Sequence, residues 1–434
     1  MKRHQDPDNN SLFCLNRNKL VAKMPTKSLA IVSGNDTFPT NGDGTMPHKA
    51  SSDLFYLTGI VQEETILVLF PDHFEQNFRE VLFIRFTDEH TLTWEGKKLN
   101  KEEAKKTSGI QSVFWTHEFD QVLHQIVFEA DVILLNTNEH VRNSIFIPTK
   151  DLRLLESLKS KYPLHIYGRL SPILADLRLL KSEAEILWVN KAIEITHKAF
   201  LRTLKNIKPG MFEYEVEAEI IYEFIKNGSN GHAYSPIIAG GANACVLHYN
   251  ENNQVLKSGE LLLMDFGAEY ACYNADLTRT VPVNGTFTKR QKEVYQAVLN
   301  IQKFAISLIR KGKSFKAYNE EIVQKTEEEL FHLGLLSKEE ISTAASPKTA
   351  YKKFFMHGIS HFLGLDVHDV GSRNVDFQPG MLLTVEPGIY IKEEGIGIRL
   401  ENNILVTEDG NQDLMASIPI EIEELEELMN VEDN

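Results

Sequence analysis

The run Leu261-Leu262-Leu263-Met264-Asp265-Phe266-Gly267 sets a carboxylate inside an apolar stretch that reads as a buried strand. A lone acid in such a place is costly unless it is paired or bound to a metal. A second acid follows in Tyr273-Asn274-Ala275-Asp276-Leu277-Thr278-Arg279-Thr280-Val281. If the two runs form a hairpin centred between Tyr270 and Ala271, Asp265 stands directly opposite Asp276, with Cβ atoms ~4.5–5.5 Å apart. Bare, such a pair drives one pKa strongly upward, and a divalent cation between the two removes the conflict.

The pattern repeats downstream. Glu386 lies in Leu382-Leu383-Thr384-Val385-Glu386-Pro387-Gly388, and Glu401 in Ile396-Gly397-Ile398-Arg399-Leu400-Glu401. A hairpin centred between Glu393 and Glu394, with Gly395 at its turn, opposes these two glutamates. Pro387 could introduce a bulge and shift that register. Between the two hairpins runs a histidine-rich segment, His357-Gly358-Ile359-Ser360-His361-Phe362-Leu363-Gly364-Leu365-Asp366-Val367-His368-Asp369. Taken singly, each of these acids and histidines has an ordinary explanation as a turn, edge or core residue. Together, in strand-like settings and in the order Asp, Asp, His, Glu, Glu, they describe a hard, oxygen-rich site. Four carboxylates and one imidazole suit Mn(II), with Co, Zn and Fe(II) as competitors. Two ions ~3.5–4 Å apart would neutralise so many acids. Gly240-Gly241 is no phosphate loop, since no Lys or Ser/Thr follows at the required spacing.

Composition narrows the partners. Lys plus Arg is 46 against 61 for Asp plus Glu, a formal charge of −15, so nucleic acid is not expected as a partner. No stretch reaches the ~20 apolar residues of a membrane span, so no membrane is expected either. The basic start Met1-Lys2-Arg3 has no apolar run behind it, which argues against a secretory signal. Three widely spaced cysteines, Cys14, Cys245 and Cys272, fit reduced thiols and a cytoplasmic location.

The 434 residues suggest an α+β chain of two domains at ~100–200 residues per domain. Residues 1–175 read as the smaller α/β domain, with strands at Leu29–Ser33, Thr65–Phe70, Val81–Phe86 and Val132–Leu135. Helical segments fall at Asn100–Thr107 and Thr149–Ser160, and the polar stretch around Gly42, Gly44 and Pro47 reads as a surface loop. Residues 176–434 form the second domain. Ser182 and Glu185 offer a capping box for its first helix, which Pro209-Gly210 ends, and a second helix covers Tyr214 to Lys226. Strand-like segments follow to Val283. Helices over Thr288–Arg310 and Ser314–His332 and strand-like segments over Phe354–Val406 repeat the order. The acidic end, Ile420–Asn434, reads as a solvated helix whose leucines face inward.

These motifs resemble those of the pita-bread metallopeptidases of the aminopeptidase P type. The resemblance rests on Met264–Gly267, Asp276–Thr280, His357–Asp369, Thr384–Gly388 and Gly397–Glu401, with Lys208-Pro209-Gly210-Met211 and Val246-Leu247-His248-Tyr249. Ser52-Asp53-Leu54-Phe55-Tyr56-Leu57-Thr58-Gly59 looks like that family's N-terminal domain. The resemblance spans about residues 15–428 and implies a pita-bread catalytic domain behind an aminopeptidase P-type α/β domain.

It implies two divalent ions held by Asp265, Asp276, His361, Glu386 and Glu401, with Asp276 and Glu401 shared between them. It implies Glu386, His357 and His248 as catalytic residues, and His368, Arg399 and Tyr234 as substrate-binding ones. Trp94 matches a further substrate-side aromatic that could reach a neighbouring subunit's site. The implied activity is release of the N-terminal residue from peptides with proline in second position, by attack of a metal-bridging hydroxide. A prolidase limited to Xaa-Pro dipeptides would share the same site, and a non-catalytic peptide-binding relative would lack ligands that are present here. The resemblance also implies a homo-oligomer, dimer or tetramer.

Overall fold

This computed structural model describes residues 10–140, 142–143, 147–343 and 350–430. The chain divides into two units, Met1–Arg178 and Leu179–Asn434. The first is built on a mixed sheet of β1 (Ser28–Ser33), β2 (Ile66–Leu69), β3 (Glu80–Ile84), β4 (Ser112–Trp115), β5 (Val132–Leu135) and β6 (Ile166–Arg169). Their spatial order is β4-β3-β2-β1-β5-β6. β1 runs parallel to β5 and antiparallel to β2. It is buried along its whole length, so its sequence is a continuous apolar run without alternation. Leu29 and Ile31 pack with Phe119, Leu123 and Leu158 from the helices Phe119–Ile126 and Lys150–Lys161. Strands β4 and β6 and the helix Ser52–Thr58 are additions to the sequence reading. All three are short, and a short run carries little periodic signal.

The second unit opens with the helices Glu183–Asn206 and Glu213–Lys226. The Ser182 N–H donates to Glu185 Oε2 (2.8 Å), the expected bond of the first cap. β7 (Ile237–Gly240), β8 (Leu261–Phe266), β9 (Glu269–Tyr270), β10 (Tyr273–Asn274) and β11 (Leu277–Pro282) follow. The helices Lys289–Leu308 and Phe315–His332 come next, the first with Thr288 and Gln291 capping each other reciprocally. β12 (Leu382–Val385), β13 (Gly388–Ile391), β14 (Ile396–Arg399), β15 (Asn402–Thr407) and β16 (Gly410–Asp413) complete the second helix–helix–sheet cycle. The acidic end carries the helix Ile422–Met429, which buries Ile422 and Leu425. No described helix is long and apolar enough to cross a membrane.

The first hairpin has a different register from the one expected. β8 and β11 pair Asp265 with Thr278, and β9 and β10 pair Tyr270 with Tyr273. The turn is therefore the two-residue link Ala271-Cys272, with φ of 49° and 67°. Both values are positive, as a type I′ hairpin turn requires. Asp265 and Asp276 consequently lie diagonally on one face instead of directly opposed. In the second hairpin, Gly388 pairs with Arg399 and Val385 with Asn402, the expected register. Pro387 interrupts that ladder without shifting it. A second correction concerns the histidine segment. It is irregular and forms no strand among the described residues, with an isolated bridge from Phe362 to Leu383.

Candidate metal centre

Four of the five proposed ligands stand at breaks in the β-ladders, and only Asp265 lies within a strand. Asp276 sits between β10 and β11, Glu386 just past β12, and Glu401 on an isolated bridge to Thr278. That bridge joins the hairpins. The Glu401 N–H donates to the Thr278 carbonyl (3.0 Å), and Thr278 Oγ1 donates to Glu401 Oε2 (2.7 Å). Asn403 fixes Asp276 from the second hairpin: its Nδ2 donates to the Asp276 carbonyl (2.6 Å) and its Oδ1 accepts from the Asp276 N–H (3.2 Å). The histidine loop is tied in through backbone bonds, Thr384 N–H to the His361 carbonyl (2.9 Å) and Glu386 N–H to the Ile359 carbonyl (2.9 Å).

Donor atoms of Asp276, His361 and Glu401 all lie within 4.8 Å of one another. His361 Nε2 is 3.4 Å from Asp276 Oδ2 and 3.7 Å from Glu386 Oε1. Its Nδ1–H donates to the Phe362 carbonyl (2.9 Å), so the Nε2 lone pair faces the acids. Asp265 flanks this group. Tyr234 Oη is 2.5 Å from Asp265 Oδ1 and 2.6 Å from Asp276 Oδ1, and Arg399 Nη2 donates to Asp265 Oδ2 (2.6 Å).

The electrostatics are those of crowded acids. Burial and the surrounding carboxylates push Glu401 well above the usual range. Asp276 is raised by burial and by Asp265, against the opposing pull of His361. Glu386 is pushed up to about 7, chiefly by burial. Burial alone would lower His361, but Asp276 and Glu386 more than offset it and raise the imidazole. Glu401 Oε1 is buried with no hydrogen-bond partner among the described residues, an orphaned acceptor that a cation would satisfy. The donor set and the orphaned oxygen both fit a divalent metal centre.

The remaining site residues divide. His357 is engaged at both ring nitrogens: Nδ1–H donates to the Gly358 carbonyl (2.9 Å), and Nε2 accepts from the Tyr390 hydroxyl (2.7 Å). Its Nδ1 is 3.6 Å from Glu386 Oε2. Burial and the Arg399 charge hold its pKa down at about 3, so the ring is neutral at pH 7. The His368 ring meets the His361 ring edge to face at 4.4 Å and is exposed to solvent. His248 is exposed too, near enough for its charge to bear on His357. Arg399 is buried and donates to Asp265, Tyr390 and Thr278. Tyr234 lies against the ligand carboxylates. Trp94 is in the first unit and 77% exposed.

Sequence reasoning missed Tyr390, Thr278 and Asn403. Thr278 and Asn403 lie two residues past Asp276 and Glu401, so strand alternation from each ligand was the signal available. Tyr390 lies between His357 and Arg399 and carries no such signal.

Residues 188–408 match the model of metallopeptidase family M24, and residues 13–135 that of the aminopeptidase P N-terminal domain. The chain is 37% identical to the Xaa-Pro aminopeptidase of Haemophilus influenzae, over 95% of this chain and 96% of that protein. It is 36% identical to the Xaa-Pro aminopeptidase of Escherichia coli, over 96% and 97%. Zinc-substituted Escherichia coli aminopeptidase P in complex with product superposes with a TM-score of 0.87 at 35% identity, covering 97% of this chain and 98% of that one. The same enzyme with the inhibitor Pro-Leu gives 0.86 at 34% identity, with the same coverage.

Proposed function

Because the chain belongs to metallopeptidase family M24, in its Xaa-Pro aminopeptidase group, we propose that it releases the N-terminal residue from peptides whose second residue is proline. The observation that carries this is the convergence of Asp276, His361 and Glu401 within 4.8 Å, flanked by Asp265 and Glu386. All five positions keep competent donors, which speaks against a binding protein without catalysis. These residues would hold two divalent ions. Mn(II) suits the donor set best, with Co, Zn and Fe(II) as competitors. When bound, such ions would supply a water of lowered pKa, from 15.7 towards ~7, and a Lewis acid for the scissile carbonyl.

The chain's own residues do the rest. An Xaa-Pro bond is a tertiary amide, so its nitrogen offers no N–H to grip and must be protonated to leave. Glu386, with Oε1 3.7 Å from His361 Nε2 and Oε2 3.6 Å from His357 Nδ1, is placed beside the ligand cluster to take a proton from the nucleophile and pass it to the proline nitrogen. Arg399 and Tyr234 fix the orientation of Asp265. His248 and His357 donate to the developing oxyanion. His357 does so only after giving up the Gly358 carbonyl, so His248 is the readier donor. His368, exposed beside His361, shapes the proline side of the pocket together with Arg399.

Cys14, Cys245 and Cys272 form no disulfide, which supports work in a reducing cytoplasm. The exposed Trp94 supports self-association, to a dimer or tetramer that light scattering would count. The deciding experiment is a metal-supplemented assay on an Xaa-Pro dipeptide, Xaa-Pro-Yaa peptides of increasing length, and an Xaa-Ala-Yaa control. Release of the first residue from the tripeptide and longer peptides is expected. Cleavage of the dipeptide alone would make the protein a prolidase.

A further inference from the structure

We infer that Glu213 is a positioning residue for the reaction, anchoring the loop that carries His248; this rests on the function proposed above. Glu213 is the first residue of the helix Glu213–Lys226 and is completely buried. A carboxylate in the interior must be matched by donors or by a counter-charge. No cation pairs with it among the described residues. Its oxygens instead take four neutral hydrogen bonds, all from one segment. Oε1 accepts from the Gly240 N–H (2.8 Å) and Asn243 Nδ2 (3.2 Å). Oε2 accepts from the Tyr249 hydroxyl (2.7 Å) and the Gln254 N–H (2.9 Å). The donors span residues 240–254, so one side chain gathers both ends and the middle of the loop.

The loop is gathered towards the site. His248 immediately precedes Tyr249, whose ring packs in a cluster with Ala244, Leu263 and Tyr390. Tyr390 is the residue that bonds both His357 and Arg399. At the same time the turn Gly241–Cys245 lies tight on β14, where a Cβ on Gly397 would come within 2.4 Å of the Ala244 carbonyl oxygen. A loop pressed on one side and anchored on the other has little freedom. Exposed His248, whose charge bears on His357, is thereby held close to that ring. A carboxylate suits this task because it offers four acceptor sites and no donor, against four converging donors. Glutamine keeps the volume but turns one acceptor into a competing N–H₂.

The test is Glu213→Gln, alone and combined with His248→Ala, in the metal-loaded enzyme. We expect Glu213→Gln to lower kcat/KM on an Xaa-Pro-Yaa peptide roughly tenfold or more, and the double variant to fall within about twofold of His248→Ala alone. Metal content by elemental analysis stays at the wild-type stoichiometry, and amide exchange accelerates at Gly240 and Gln254. Multiplying losses, normal kinetics in either single variant, or activity lost in step with metal would each overturn the inference. If Glu213→Gln does not fold, Tyr249→Phe replaces it in the cycle, and additivity with His248→Ala overturns the inference equally. A wild type that cleaves no Xaa-Pro peptide sinks the proposed function instead, while an active wild type with an unaffected Glu213→Gln sinks only this role.

Discussion

The two hairpins that supply the acids solve the same problem with different turns. The first closes through Ala271-Cys272, two non-glycine residues both at positive φ. The second closes through a 3₁₀ turn, Lys392–Glu394, and Gly395 at φ 63°. The first turn lies one residue further along than a reading of opposed acids requires, and Asp265 accordingly pairs with Thr278. The shift changes which residues oppose one another but leaves both acids on the same face, because side chains alternate with period two. Facing is therefore the robust quantity and direct opposition the fragile one. In the second hairpin the turn glycine and the expected centre agree, and Glu386 and Glu401 keep the register on either side of an interrupted ladder.

The largest expected effect falls on the second hairpin. Glu386→Gln keeps the shape but removes the proton carrier, and should lower kcat by about 10²–10⁴-fold. Near-normal turnover in that variant would remove Glu386 from the chemistry and leave the two hairpins as equal scaffolds. For the first hairpin the sharpest challenge is Gly267→Ala. The new Cβ would lie 1.8 Å from the Ala275 carbonyl oxygen and 3.3 Å from the Asp276 nitrogen, in the link between β10 and β11. The clash should cost at least about 1–3 kcal/mol in denaturant unfolding. It should also weaken metal binding, since Asp276 directly follows Ala275 and moves with it. Unchanged stability would show that the register differs from the one described.

Much of this was legible because acids in apolar runs are expensive and so must meet something. Asp265, Asp276, Glu386 and Glu401 announced both hairpins and their shared face. His361 announced itself only as one of several histidines. Its segment has no strand period, and its place depends on backbone bonds to Thr384 and on the edge contact with His368. Arg399 was visible as a residue but not its partner, since the choice of Asp265 depends on how the two hairpins pack. The turn at Ala271-Cys272 was hidden because neither residue is the glycine or asparagine that such a turn normally takes.

A pH titration of the chelated protein separates the acids from their scaffold. The Glu386 carboxyl lies at about 7 in the folded chain against an ordinary 4.5, so the metal-free fold holds a proton that the unfolded chain gives up. Stability from that proton is fully present below pH 4.5 and is lost as pH rises through about 7. Thermal unfolding after chelation should therefore show a midpoint that falls over this window. Added Mn(II) should reverse the trend at the upper end, since metal binding favours deprotonated ligands. Glu63 in the first unit is an internal contrast. Burial would raise it, but bonds from Lys98 and Arg85 prevail and lower it to about 2. Its contribution is present above pH 4.5 and is lost as pH falls towards 2, whether or not metal is bound. A chelated protein whose midpoint is flat between pH 4.5 and 7 would mean that the four acids are not crowded in solution.

The smallest effects come from the turns, and there the two hairpins should respond with opposite sign. Gly395→Ala places a Cβ in open space, its nearest neighbours being the Ala242 backbone nitrogen at 3.9 Å and Cβ at 4.0 Å. Its penalty is backbone strain alone, about 1–2 kcal/mol. Ala271→Gly does the reverse: it relieves an alanine held at φ 49°. Against that relief stands the extra freedom glycine brings to the unfolded chain, about 0.4–1 kcal/mol, so the net gain is at most about 1.6 kcal/mol. Neither substitution touches a ligand, and kcat should stay within about twofold in both. Paired unfolding curves that move in opposite directions would show that the first hairpin carries strain the second has shed. Curves that both move down would show that the Ala271 methyl, buried in the folded chain, stabilises the turn by more than its backbone angle costs.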